Sequence, residues 1–289
     1  MRYVVGYSSN ERGADAVALA SSLARAQDAS LDIVHVVDPH VPYAGPRPDE
    51  TPATEAEKLV LAAARESLAL VPDGVEAAFR ALPAESFAAG LIEAAGDDAG
   101  LIVVGAASNG LFKRFTVGSV ANALLHASPV PVALAPRGFN RIEPVTRFTL
   151  ATGQRAGADA AIGTAIGAAN RRGVPLRLVS LVTLDAGPDE GGEATNAAHR
   201  HANTVLSDAA ARLPHGHDVS VAVAHGRTIE EAIDSLEWQE GEVLIIGSSR
   251  LGERNKLFIG STANKILRAL PVPMVVVPRD YERVDSMPI

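Results

Sequence analysis

The chain has 289 residues, a formal net charge of −8, 47% hydrophobic and 21% charged residues. This composition is typical of a globular protein, and the acidic balance excludes a wide surface for nucleic acid or for an anionic membrane, which needs clustered Lys and Arg. The sequence contains no cysteine, which excludes disulfides, thiolate catalysis and cysteine-ligated metals.

The amino-terminal residues, Met1 to Gly6, are followed too soon by polar residues for a signal peptide, and no run of about 20 apolar residues occurs. We therefore expect a cytoplasmic protein that has neither a membrane nor a nucleic acid as its partner.

In the first half of the chain, short apolar runs alternate with stretches of helical periodicity. The predicted strands are 3–7, 31–37, 75–81, 101–104 and 130–135, and the predicted helices are 11–26, 55–70, 86–95 and 119–127. Prolines between residues 39 and 52 indicate a long loop after the second strand.

The second half repeats this order. Its predicted strands are 148–151, 176–182, 219–224, 243–246 and 274–277, and its predicted helices are 158–172, one ending near 213, 228–236 and 261–269. Five strands alternating with four helices predict an α/β fold of two tandem, doubly wound, five-stranded parallel sheets, each Rossmann-like.

The repeat also predicts where the domains lie. We expect a first domain at 1–137, a linker at 138–146, a second domain at 147–280 and a C-terminal tail at 281–289.

The most informative motif is a glycine frame that occurs twice, 142 positions apart. Its members are Gly105, Gly118 and Ser119, and then Gly247, Gly260 and Ser261. A Gly-Ser pair that opens a helix suits a phosphate, because free backbone N–H groups and the helix dipole converge there. The pair also allows a purely structural interpretation, in which the serine is the helix N-cap.

The spacing of these glycines resembles that of the universal stress protein family. Nucleotide-binding members of that family carry Gly, two residues, Gly, nine residues, and then Gly-Ser or Gly-Thr. The resemblance covers nearly the whole chain and includes a Leu-x-x-x-Pro-x-Pro ending at 125–131 and 267–273. It implies a tandem protein with an adenine nucleotide alpha hydrolase-like fold, a regulatory or protective role in stress, and ATP or another adenine nucleotide as the ligand of one or both domains.

The chain departs from the family's binding pattern at two places in each half. The second glycine is replaced by Ser108 and Arg250, and the aspartate that follows the first strand in nucleotide binders is replaced by Ser8 and, roughly aligned, Gly153. A site would lie where the strand order reverses, at the carboxyl ends of the strands. Its predicted residues are Ser8, Val37, Gly105, Ser108, Gly118 and Ser119 in the first half, and Gly153, Val182, Gly247, Arg250, Gly260 and Ser261 in the second.

Two alternatives to nucleotide binding stay open. A nucleotide-free, dimerising scaffold that docks partner proteins is favoured by the four departures. A slow ATPase is disfavoured, because no metal-binding acid and no positioned base can be named, and no catalytic residue is predicted.

The histidines do not predict a metal site, and we expect no structural metal. His199 and His201 lie two positions apart on a predicted helix, so their side chains point to different faces. His35 lies within an apolar strand and is expected to be packed.

The last strand of each half is apolar on both faces and needs cover. In the family, the fifth strands of two domains pair antiparallel. The tandem arrangement therefore implies an internal pseudo-dimer, with a further homodimer of chains left open. Charged substitutions at Leu134 or Val276 are expected to expose hydrophobic surface.

Overall fold

The computed structural model describes residues 1–40, 54–96, 98–106, 118–152, 159–183, 200, 203, 204, 207, 210, 211, 216–248, 260–279 and 281. The predicted helix that ends near residue 213 falls largely outside them.

The described elements follow the predicted order in both halves, and the helix predicted between the second and third strands of the second half is the one that lies largely outside the described residues. The strands of the first half are β1 (Arg2–Gly6), β2 (Ser30–Val37), β3 (Ala77–Pro83), β4 (Ala99–Gly105) and β5 (Val132–Ala135), and its helices are α1 (Glu11–Gln27), α2 (Glu55–Ala69), α3 (Phe87–Ala95) and α4 (Ser119–Ala127). The strands of the second half are β6 (Arg147–Thr152), β7 (Leu176–Thr183), β8 (Val219–Gly226), β9 (Glu242–Gly247) and β10 (Met274–Val277), and its helices are α5 (Asp159–Arg172), α6 (Ile229–Asp234) and α7 (Ser261–Ala269).

The ten strands of the described residues form one sheet in the order β3-β2-β1-β4-β5-β10-β9-β6-β7-β8. Neighbouring strands are parallel except at the centre, where β5 and β10 pair antiparallel. Each half is therefore doubly wound, and the predicted fold class is confirmed.

The central seam between β5 and β10 joins the two halves. Leu134 lies opposite Met274 and Val132 lies opposite Val276, and all four side chains are fully buried. The predicted antiparallel pairing of the last strands is thus the pairing that the structure shows.

The helices cover both faces of the sheet. The core on one face is built with α1, α2 and α5, and the core on the other face with α3, α4, α6 and α7. Side-chain caps begin several of these helices: Asn10 accepts from two first-turn N–H groups of α1, and Thr54 and Glu57 form a capping box on α2. None of the helices in the described part of the chain is long and apolar enough to cross a membrane.

Two predicted boundaries shift for local reasons. Strand β3 begins after Val75, because the N–H of Val75 donates to Pro72 in a turn, and it continues to Pro83 opposite Val37. Helix α6 is shorter than the predicted 228–236, because Thr228 is its N-cap and Ser235 its C-cap.

Candidate functional site

The strand order reverses once in each half, between β1 and β4 and between β6 and β9. Gly105 ends β4, Val37 ends β2, and Ser8 follows β1 by two residues, so these three predicted residues lie at one carboxyl edge. In the second half Gly247 ends β9 and Val182 lies next to the last residue of β7. Ser108, Gly153 and Arg250 lie outside the described residues.

The Gly-Ser pairs begin the helices that follow, but the serines are not the caps. Gly118 is the N-cap of α4 and Gly260 is the N-cap of α7, and neither helix has a side-chain cap hydrogen bond. Ser119 and Ser261 occupy the first helical position. The predicted serine N-cap is therefore wrong, because the glycine carbonyl already accepts the first helical bond, from Asn122 at 2.9 Å and from Asn264 at 3.0 Å.

The two N-cap glycines have ordinary extended backbone, with φ of −71° at Gly118 and −80° at Gly260. Conformation alone does not require glycine at either place. An asparagine, aspartate or serine would cap the helix as well or better. What distinguishes glycine here is that, within the part of the chain that the structure describes, no side chain caps the first-turn N–H groups in either half.

Gly105 has a packing reason to be glycine. A Cβ atom at this position would lie 2.3 Å from the carbonyl oxygen of Arg12, so the first turn of α1 rests directly on the end of β4. Gly13 makes a similar contact, because a Cβ there would lie 2.1 Å from the carbonyl oxygen of Ser8. The strand-end turn and α1 are therefore closely packed beside the switch point of the first half.

Polar groups of the first half also meet at this edge. The His35 Nδ1–H donates to the Tyr7 carbonyl at 3.2 Å, and its ring stacks on Phe79 with 6.4 Å between centroids, so the predicted packing of His35 is observed. The Tyr7 hydroxyl donates to Glu66 at 3.4 Å. Burial, together with the charge of Glu66, raises the pKa of Tyr7. Sequence reasoning missed Tyr7, since it reads only as the end of an apolar run.

A buried carboxyl group connects α1 to the linker. Asp15 accepts a hydrogen bond from the Gly138 N–H at 3.0 Å, and one turn earlier Glu11 pairs with Arg137 at 3.3 Å. Burial raises the pKa of Asp15 to about 6, against the opposing effect of the Gly138 hydrogen bond. Nothing in the local sequence pattern singles out this aspartate.

Two further polar side chains of the second half, Glu231 and His217, have structural partners. Glu231 pairs with Arg227 at 3.3 Å, and the His217 Nε2–H donates to the carbonyl oxygen of Val174 at 3.1 Å. Within the described ranges no group of three or more His, Asp or Glu could hold a metal ion. His199 and His201 fall outside those ranges.

Comparison with known proteins identifies the family and the fold of the chain. Residues 1–136 and 145–278 each match the Universal stress protein family. Universal stress proteins of Mycobacterium bovis and Mycobacterium tuberculosis are 31% identical to the chain over 291 residues, covering 96% of this chain and 100% of theirs.

Solved structures show the same fold. A universal stress protein from Archaeoglobus fulgidus superposes with a TM-score of 0.66 at 18% identity, covering 96% of this chain and 98% of its own. A functionally unknown protein from Pseudomonas aeruginosa PAO1 gives a TM-score of 0.63 at 15% identity, covering 96% and 92%.

The chain is thus a tandem α/β protein with two Rossmann-like half-sheets. It belongs to the universal stress protein family.

Proposed function

We propose that this protein is a regulatory or protective factor in the stress response that binds ATP or another adenine nucleotide at the switch point of one or both halves. The nucleotide would act as a regulatory ligand, with its phosphates at the start of α4 or α7. The proposal rests on the family and on the residues that the two halves share at these places.

One observation carries the proposal: both helices begin at a glycine N-cap that has no capping side chain. The first N–H groups of a helix need an acceptor, and the positive end of the dipole favours an anion. A phosphate group supplies both the charge and the acceptors. The geometry is repeated at the carboxyl edge of each half, where ligands of doubly wound sheets bind.

The contact between Gly105 and Arg12 favours the second candidate function, a nucleotide-free scaffold that docks partner proteins. It accounts for this glycine of the frame without any ligand. A scaffold would retain Gly105 for the packing of α1 and would have no use for an uncapped helix start. The two functions therefore differ in what the N-cap glycines do.

Titration calorimetry with Mg-ATP, ADP and AMP on matched N-cap variants separates the two functions. Gly118→Asp and Gly260→Asp cap the helix but place a negative charge where the phosphates would bind, whereas Gly118→Asn and Gly260→Asn cap it without charge. We expect each aspartate variant of a binding half to lose at least about tenfold in affinity relative to its asparagine partner, or about 1.4 kcal/mol.

The four variants also report which half binds. A loss at Gly118 alone assigns the ligand to the first half, and a loss at Gly260 alone assigns it to the second. If the wild-type protein gave no heat with millimolar nucleotide, the scaffold would be the correct function. Equal affinity in the aspartate and asparagine variants would show that the helix starts do not hold the phosphates.

A further inference from the structure

A cavity of about 340 Å³ lies between the linker and the amino end of the second half-sheet. Its walls are residues 136–141, residues 238–242, which lead into the start of β9, and residues 271–273 just before β10. This is the opposite end of the second half from its switch point. We propose that the cavity is a second ligand site, which binds a small planar molecule with one acidic group, such as an aromatic carboxylate.

Flat, firmly held apolar side chains form much of the wall. Phe139 is the last residue of a turn in which its N–H donates to the carbonyl oxygen of Pro136 at 3.1 Å. The Trp238 indole N–H donates to the carbonyl oxygen of Ile233 at 3.0 Å, which fixes the ring. The Arg177 guanidinium lies over the Trp238 ring, 5.0 Å from its centroid. Rigid aromatic and proline walls of this kind favour a planar ring, because little side-chain entropy is lost on binding.

The acid that lies deepest beside the cavity is already neutralised. Glu242 is fully buried and pairs with Arg147 and Arg177, each at 2.6 Å. Its carboxylate also accepts from the Gln239 N–H at 2.9 Å. A second anion in the cavity therefore faces little repulsion from this group.

Arg141, in contrast, has partners that a ligand can replace. It lies 3.1 Å from Glu240 and 3.7 Å from Glu143, whose side chains are 87% and 61% exposed. Exposed ion pairs of this kind contribute little, while a carboxylate sheltered in the cavity can form a paired hydrogen bond to a guanidinium. Arg137, whose partner Glu11 is also exposed, adds a second positive charge to the wall.

The equivalent place in the first half is filled by the chain itself. Tyr281 stands 142 positions after Phe139 in the same type of turn, with its N–H donating to Pro278 at 3.2 Å, and its hydroxyl donates to Gly100 at 3.5 Å. The Met1 side chain lies on Gly100, so closely that a Cβ there would be 2.2 Å from its terminal carbon. Among the described residues, Met1 and Tyr281 thus lie at this place of the first half, whereas in the second half the same place borders the cavity.

A titration followed through Trp238 tests the proposal, because this is the single tryptophan of the chain and gives one indole signal in an ¹H–¹⁵N spectrum. The probe is 2-naphthoate, and its neutral match is 2-naphthamide. We expect the indole signal to shift saturably with 2-naphthoate at a Kd of about 1 mM or tighter, and at least about tenfold more weakly with the amide.

Substitution of Arg141 provides the second test of the proposal. Arg141→Met should weaken 2-naphthoate at least about tenfold, whereas Arg227→Met, at an exposed arginine away from the cavity, should leave the Kd unchanged. An indole signal that does not move with 2-naphthoate, or equal binding of acid and amide to the wild-type protein, would overturn the proposal. The acid-amide comparison does not depend on the folding of any variant.

Discussion

In the first half, Asp32 on β2 lies between Arg2 and Arg80, whereas in the second half Glu242 on β9 lies between Arg147 and Arg177. Both clusters hold the amino ends of their strands together. The residue of the second half that stands in the place of Asp32 is Arg177, since Asp32 lies opposite Val4 and Arg177 lies opposite Thr149 in the same register. The charge at this place has changed sign.

The clusters also differ in exposure. The arginine side chains of the first are 26% and 42% exposed, while Glu242 and Arg177 are buried. At the carboxyl ends, by contrast, the glycine frame recurs in both halves, although Ser8 and Ser108 of the first half correspond to Gly153 and Arg250 of the second. The amino ends therefore need only balanced charge, which different residues supply, and the frame positions of the carboxyl ends keep the same residues. This contrast is what we expect if function resides at the carboxyl ends.

The seam should be the most sensitive place in the molecule. Val276→Asp puts a charge into a fully buried antiparallel pair, and we expect a loss of more than about 4 kcal/mol in the free energy of unfolding, together with aggregation. Val221→Asp is the matched control on the edge strand β8, where the side chain is 49% exposed, and should change stability by about 0.5 kcal/mol or less. Urea denaturation and light scattering measure both. Equal behaviour of the two variants would contradict the central role of the seam.

The two charged clusters at the amino ends of the strands should contribute differently to the free energy of unfolding. Glu242→Gln leaves the buried Arg177 and the partly buried Arg147 without their acid, and we expect a loss of about 3–5 kcal/mol in the free energy of unfolding. Asp32→Asn should cost about 1–2 kcal/mol, because water reaches Arg2 and Arg80. The urea midpoints of the two variants measure these losses of stability. A larger loss of stability in Asp32→Asn than in Glu242→Gln would contradict the expected order.

The glycines of the frame should respond differently to alanine. Gly105→Ala places a methyl group against the backbone of Arg12 and should cost about 1–3 kcal/mol. Gly118→Ala has no conformational penalty at φ −71° and should change the melting temperature much less. Thermal unfolding followed by circular dichroism distinguishes them. If both variants melted like the wild type, the packing explanation of Gly105 would be wrong.

The linker contact of Asp15 should make stability depend on pH. Because burial raises the folded-state pKa to about 6, the folded state holds a proton between about pH 4 and pH 6 that the unfolded state has released. This contribution to stability is lost as the pH rises through the interval. Asp15→Asn keeps an acceptor for Gly138, and should be more stable than the wild type by about 1–2 kcal/mol at pH 7.5 but not at pH 4.

Urea denaturation at the two pH values tests this, with Glu11→Gln, one turn earlier in α1, as the control. Glu11 is exposed and should give no such difference. If the wild-type protein and Asp15→Asn differed in stability by the same amount at both pH values, the Asp15 carboxyl group would not titrate in this range.

The sequence predicts the alternation of strands and helices well, because periodicity and turn residues are local. The apolar last strands predict only that these strands need cover, and the family resemblance supplies their antiparallel pairing. The sequence does not reveal why Gly105 is glycine, since the reason is a contact with Arg12, 93 positions away. The two charged clusters were not predicted either, because their members come from separate strands. The one available signal was an arginine at the start of the first strand in each half, Arg2 and Arg147.

The candidate site can be predicted only in part from the sequence. The repeat locates the two helix starts, because glycine and serine recur at fixed spacing. It does not tell which residue of the pair is the cap, as both residue types occur at N-caps and the choice depends on backbone conformation. The structure assigns that place to Gly118 and Gly260.

The most direct test of the account is an ¹H–¹⁵N titration of the wild-type protein with Mg-ATP, followed at the backbone amides of Ser119 and Ser261. We predict saturable shifts at the first turn of α4, of α7 or of both, and no shift at the first turn of α3, which Ser86 already caps. If the amide signals of Ser119 and Ser261 did not shift, the claim that the uncapped helix starts hold the ligand would be contradicted. This would hold whether the amides of α3 shifted instead or no amide shifted at all.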